Sequence, residues 1–163
     1  MNNQEEQKEI PENYEKIVNK INKIFSTAII EKKFERGELT LTIKPQFLIP
    51  LAEFLKEESD LKFNFLSDIC AVHFPKEKEF EVVYNLYSII FHHRVRLKVK
   101  IKEGESITSL TRVWAAANWL EREVYDLSGI TFDGHPDLKR IFLPNDWKGH
   151  PLRKDYPLSG KEK

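Results

Sequence analysis

At Gly129 the hydrophobic periodicity of this chain stops, and the remainder cannot continue as regular helix. Four of the six glycines and four of the eight prolines fall from that residue onward. His135, Leu143, His150 and Tyr156 each precede a proline, which biases them toward extended or polyproline II backbone. A stretch of this length without regular structure is uncommon in a compact domain and is either disordered or functional. Side chains decide between the two. Disordered tails are poor in aromatic residues, whereas this one carries Phe132, Ile141, Phe142, Leu143, Trp147, Leu152 and Tyr156. Ordering so many residues costs more conformational entropy than seven apolar side chains return. The arm therefore needs backbone hydrogen bonds and a surface, from its own domain or from another chain, and a partner chain is the simpler source. Trp147, Arg153 and Tyr156 have the composition of interface hot spots.

Upstream, the patterns are regular. Met1 to Ile10 is polar and Glu-rich, the composition of a disordered tail. From Pro11, the residues Tyr14, Ile17, Val18, Ile21, Ile24 and Phe25 follow helical spacing. Ala28–Phe34 and Glu38–Ile43 read as a hairpin turning at Gly37. A second helical pattern starts at Pro45, with Pro50 confining its regular part to residues after about 49. Strand signals follow in Leu61–Phe74, Phe80–Ile90 and Arg94–Lys102. A last helix, capped by Thr108 or Ser109, puts Leu110, Val113, Trp114, Ala117 and Leu120 on one face. The order predicts an α+β fold, a two-layer sandwich of a mixed sheet with helices on one side, plus an extended irregular C-terminal arm. The expected division is a tail over 1–10, an α+β domain over 11–128 and an arm over 129–163 that docks on a partner.

Composition narrows the function. The 26 basic and 26 acidic residues cancel, so no whole-molecule field draws the chain to nucleic acid or anionic lipid. Cys70 is the only cysteine, which excludes an internal disulfide and an all-cysteine metal or iron–sulfur site within the chain. No apolar run is long enough for a membrane span, and the polar start MNNQEEQKEI is no secretory signal. A cytoplasmic protein, or one attached to a membrane through partners, is expected.

Residue constellations add little chemistry. Glu121, Arg122, Glu123 and Asp126 end the last helix, where a spacing of four sets Arg122 beside Asp126. Acids at a helix C-terminus oppose its dipole and call for cations, with Arg140, Arg153 and Lys154 as candidates. His135 and His150 each sit between glycine and proline in a spacing that matches no metal-ligand pattern, so backbone-capping turns are expected. His92 and His93 fall at a strand turn. Arg94, Arg96, Lys98, Lys100 and Lys102 form a basic stripe that could meet single-stranded nucleic acid, although alternation alone forces one polar face on a strand. Phosphate loops, nucleophile elbows and Cys–His pairs are absent from the sequence.

The segment EREVYDLSGITFDGHPDLKRIFLPNDWKGHPLRKDYPL at Glu121–Leu158, with the lead-in TSLTRVWAAANWL, resembles the family of the 30-kilodalton (C) subunit of respiratory complex I. Ser128 departs from the bulky apolar residue usual after Leu127. The resemblance implies a subunit without flavin, iron–sulfur cluster or nicotinamide, these lying in partner subunits. It implies packing against the quinone-site (49-kilodalton, D) subunit, with other peripheral-arm subunits nearby, at the cytoplasmic face of the membrane. The arm would wrap the D subunit in a machine that passes electrons from NADH to a quinone while pumping protons. The interface residues implied are Glu121, Arg122, Glu123, Asp126, His135 and Arg140 near the helix, and Trp147, His150, Arg153, Lys154, Asp155 and Tyr156 farther along. Membrane-bound hydrogenases and related coenzyme dehydrogenases use similar subunits, and an unrelated nucleic-acid module is the remote alternative.

Overall fold

The computed structural model describes residues 10–157; the tail expected over 1–10 lies almost entirely outside them, as do residues 158–163 of the arm. Helix α1, Glu12–Ile24, buries Tyr14, Ile17, Val18 and Ile21, the i, i+3, i+4, i+7 stripe of an amphipathic helix. Ile24, expected on that stripe, is exposed; the helix ends there, and Phe25 takes the inward place with edge contacts to Phe47 and Phe54. Strands β1 (Ile29–Glu35) and β2 (Glu38–Ile43) form the predicted hairpin. Arg36 and Gly37 both hold positive φ, 52° and 84°, the requirement of a two-residue turn whose twist matches the strands.

Helix α2, Leu48–Glu57, follows a 3-10 turn at Pro45–Phe47. Its regular part starts at Leu48, slightly ahead of the expected bound at about 49. Pro50 occupies the first turn, where its missing N–H would have had no partner within the helix.

Strands β3 (Phe65–Phe74), β4 (Glu79–Tyr87) and β5 (Arg94–Lys102) complete a five-stranded sheet in the order β1-β2-β5-β4-β3. The pairing of β2 with β5 is parallel and the others are antiparallel, so the sheet is mixed as expected. Its inner face presents Leu39, Leu41 and Ile43, then Val95, Leu97, Val99 and Ile101, then Phe80, Val82, Tyr84 and Leu86, all in one core with the apolar stripes of the helices. The outer face carries the basic stripe. Glu38 takes Arg96 at 2.6 Å and Arg94 at 3.6 Å, and Glu81 takes Lys98 at 2.8 Å, so acids on neighbouring strands pair with three of its five cations.

The last helix, α3, spans Ala117–Ser128 and starts well after Ser109. Residues 109–116 are turns that keep Leu110, Val113 and Trp114 buried. Competing partners explain the delay. Lys56 Nζ donates to the Val113 carbonyl at 2.5 Å, the acceptor a continuous helix would offer to Ala117. The Ala117 amide turns to Trp114 O at 3.0 Å instead, while the Trp114 indole donates to Phe63 O at 3.1 Å. Two further strands were not foreseen: β6 (Ile107–Thr108) and β7 (Phe132–Asp133) pair in parallel. Through β7, Ile130 and Phe132 enter the core, so the first residues past Gly129 belong to the domain.

Candidate partner interface on the last helix and arm

The C-terminal end of α3 builds the site. A helix leaves its last carbonyls without intrahelical partners, and here the arm supplies them. Gly129, at φ 78°, returns its N–H to Tyr125 O at 2.9 Å, the left-handed cap that glycine makes cheaply. His150 donates from Nδ1 to Asp126 O at 2.9 Å, and the Leu152 amide donates to Leu127 O at 2.9 Å. The His150 ring lies so close to Gly129 that a Cβ there would stand 2.6 Å from it.

Asp126 is completely buried. Its Oδ1 accepts Arg140 Nη1 at 2.6 Å. Its Oδ2 accepts three consecutive amides, Ile141 at 3.0 Å, Phe142 at 2.8 Å and Leu143 at 2.9 Å, an anion-holding nest. Burial would raise this carboxyl, but the three amides and the guanidinium outweigh it and hold the pKa down at about 2. Arg140 also spans the arm, donating from Nη2 to Trp147 O at 3.0 Å and Gly149 O at 3.2 Å. The cation expected beside Asp126 is thus Arg140 and not Arg122. Arg122 turns outward, donating to the carbonyls of Lys139 and Arg140 at 3.1 Å each and lying 5.1 Å over the Trp119 ring.

Glu121, one and a half turns earlier, is equally buried. It accepts Ser109 Oγ at 2.7 Å and the Leu110 amide at 2.6 Å, closing the turn segment onto α3. With only neutral donors, burial dominates and raises its pKa to about 7. Burial, and then the charge of Glu121, push the nearby Tyr84 hydroxyl well up; that oxygen is the only buried side-chain polar atom without a hydrogen-bond partner among the described residues. Glu123 is half-buried.

The remaining expected residues fall into two groups. His135 donates from Nε2 to Asn118 O at 3.0 Å and accepts the Asp137 amide on Nδ1 at 3.0 Å, a turn cap whose two partners define its tautomer. The far arm reaches the end of the sheet where β3 and β5 finish and β4 begins. Arg153 binds Asp155 at 3.0 Å and Glu103 at 3.4 Å and lies 5.3 Å over Phe80; the Lys154 amide donates to His73 Nδ1 at 3.2 Å. Tyr156 folds against Gly149. Sequence reasoning missed His73, which is buried, stacked on Phe80 and donating from Nε2 to Glu103 at 2.5 Å. Its signal was available: it stands in phase with the inward Ile69 and Ala71, a polar residue in an apolar row that needs a partner.

The arm is thus tied to its own domain by its backbone and charged groups, while Phe142, Trp147 and Leu152 face solvent. Trp119 is exposed on the same helix. Together they offer apolar contact area on a fixed backbone. No group of three or more His, Cys, Asp or Glu side chains among the described residues could hold a metal ion, and no helix among them is long and apolar enough to cross a membrane.

Residues 41–162 match the family model described as respiratory-chain NADH dehydrogenase, 30 Kd subunit. The chain is 49% identical over 146 residues to the C subunit of the NADH-quinone oxidoreductase of Geotalea uraniireducens, covering 88% of each. It is 47% identical over 139 residues to NADH-ubiquinone oxidoreductase subunit 9 of Reclinomonas americana, covering 85% of this chain and 68% of that one. Among solved structures it resembles, with a TM-score of 0.79 and 26% identity, a chain of the membrane-bound sulfane sulfur reductase, an archaeal respiratory membrane complex, covering 90% of this chain and 87% of that one.

Proposed function

We propose that this chain, which belongs to the respiratory-chain NADH dehydrogenase 30 Kd subunit family, is a non-catalytic scaffold of the peripheral arm of a proton-translocating NADH:quinone oxidoreductase. Its domain packs against the quinone-site (D) subunit at the cytoplasmic face of the membrane. Flavin and iron–sulfur clusters reside in partner subunits. The observation that carries the reading is the arm itself: its backbone is spent on the domain through Asp126, Arg140 and His150, whereas Phe142, Trp147 and Leu152 are left outward. Presenting large apolar groups on a pre-ordered segment lowers the entropy cost of association, which is the economy of a docking element.

The test is co-purification. Trp147→Ala, which alters an exposed side chain, is expected to leave the melting temperature of the isolated chain within a degree or two while weakening retention of the D subunit by roughly tenfold, the effect of losing one interface anchor. Equal retention by variant and wild type would overturn the reading.

A second reading keeps the scaffold and changes the machine. The likeness to a chain of a sulfane sulfur reductase complex supports an equivalent place in a related membrane-bound complex, such as a hydrogenase or coenzyme dehydrogenase. The identity of the electron-input subunit that co-purifies separates the two.

A further inference from the structure

The loop joining β4 to β5 exposes three consecutive apolar residues: Ile89 at 51%, Ile90 at 62% and Phe91 at 38%. Exposed single apolar residues are ordinary, but a run of three at a loop tip is not. The tip is also built to hold its shape. Ser88 N–H donates to His93 O at 3.0 Å, and the His92 amide donates to Ser88 O at 2.8 Å. The Phe91 amide donates to Ser88 Oγ at 3.3 Å, and the Ile89 amide donates to Asn64 Oδ1 at 3.3 Å. Tyr87 Oη meets His92 Nδ1 at 2.9 Å, with His92 at a positive φ of 55°. Such a conformation is uncommon for a residue with a side chain and persists where surroundings impose it.

We propose that the Ile89–Phe91 tip is a second docking point, an apolar knob that seats in an apolar recess on a neighbouring subunit of the assembly. The inference rests on the scaffold reading above. Position supports it: the far arm is fastened at Glu103, just past β5, and at His73, near the end of β3, and the nine residues of β5 put the tip about 30 Å from that end of the sheet. Size selects the occupant. The three side chains expose on the order of 300 Å², well short of the ~800 Å² per partner of a standard stable interface. A second copy of the chain could not be held by the tip alone. A subunit already retained in the same assembly could, because tethering supplies a high effective concentration. Charge argues against anionic lipid: the groove of about 540 Å³ beside the tip is lined by Glu38 and Asp68 as well as Arg94 and Arg96, so no basic cluster attracts a headgroup.

A photo-crosslinking amino acid placed at position 90, and separately at position 147, in the assembled complex tests this. The expected result is an adduct from position 90 with a stoichiometric subunit of the complex, and an Ile90→Asp variant that loosens that subunit by about tenfold. An adduct from 147 but none from 90 would overturn the inference and leave the scaffold reading standing. Adducts from 90 with lipid only, or with a second copy only, would also overturn it. Silence at both positions would remove the scaffold reading and this inference together.

Discussion

Glu121 and Asp126 lie on one helix, both without exposed surface, and burial opposes the charge of each. Their pKa values nonetheless part, to about 7 and about 2. The difference is the donor set. Glu121 receives one hydroxyl and one amide, both neutral, in a buried setting near the Tyr84 hydroxyl. Asp126 receives three amides and a guanidinium. Two neutral bonds do not repay the loss of hydration, whereas four donors including a cation do. One end of α3 therefore closes a turn with a carboxyl that titrates near neutrality, and the other latches the arm with a carboxylate that stays charged.

Removing the latch is the strongest way to break this contrast. Asp126→Ala leaves Arg140 uncompensated and frees three amides, and breaking a buried pair from one side costs about 3–5 kcal/mol. The cost should fall on the arm. Hydrogen exchange is expected to show roughly 100-fold loss of protection at Ile141, Phe142 and Leu143, the scale of about 3 kcal/mol of local opening, with little change in the sheet. Unchanged protection at these amides would mean that something other than Asp126 orders the arm.

How much of this was legible in the sequence depended on whether the deciding interaction was periodic. The stripe of α1 and the alternation of β5 were plain, because burial on one side repeats at the spacing of the element. The start of α3 was not, since Lys56 lies in another helix and reaches Val113 only in the folded chain. Near Asp126 the sequence pointed to a missing cation and included Arg140 among the candidates, but local spacing favoured Arg122. Spacing ranks neighbours on one helix; it cannot see a chain that doubles back past a glycine cap. The arm's docking surface on its own domain, through Glu103 and His73, is a long-range contact of the same kind.

The contrast can be sharpened by titration. Glu121 has a folded pKa above the ordinary 4.5, so the folded state binds more protons than the unfolded chain in between. Its stabilising contribution is complete below about pH 4.5 and lost as pH rises through about 7, a change on the order of 3 kcal/mol. Asp126 has the reverse sign: its contribution is present above the ordinary 3.8 and lost as pH falls through about 2, worth on the order of 2 kcal/mol. Denaturant midpoints across pH 4–8 are expected to decline in the wild type, and Glu121→Gln should flatten that decline while leaving the acid limb intact. An identical pH profile in the variant would show that Glu121 is not the titrating group.

The smallest expected effect separates the charge of the latch from the backbone cap beside it. Gly129→Ala touches neither carboxylate, yet it places a Cβ on a residue at φ 78° and 2.6 Å from the His150 ring. A non-glycine residue in that conformation costs about 1–2 kcal/mol, and the ring must also shift, which breaks its bond to Asp126 O. Protection should therefore fall several-fold at Leu152, whose amide caps Leu127 O, while the three amides on the Asp126 carboxylate stay protected and the Glu121 titration is unmoved. Loss of protection at both places would mean that cap and latch open as one unit, and that the arm is held by a single cooperative contact instead of two.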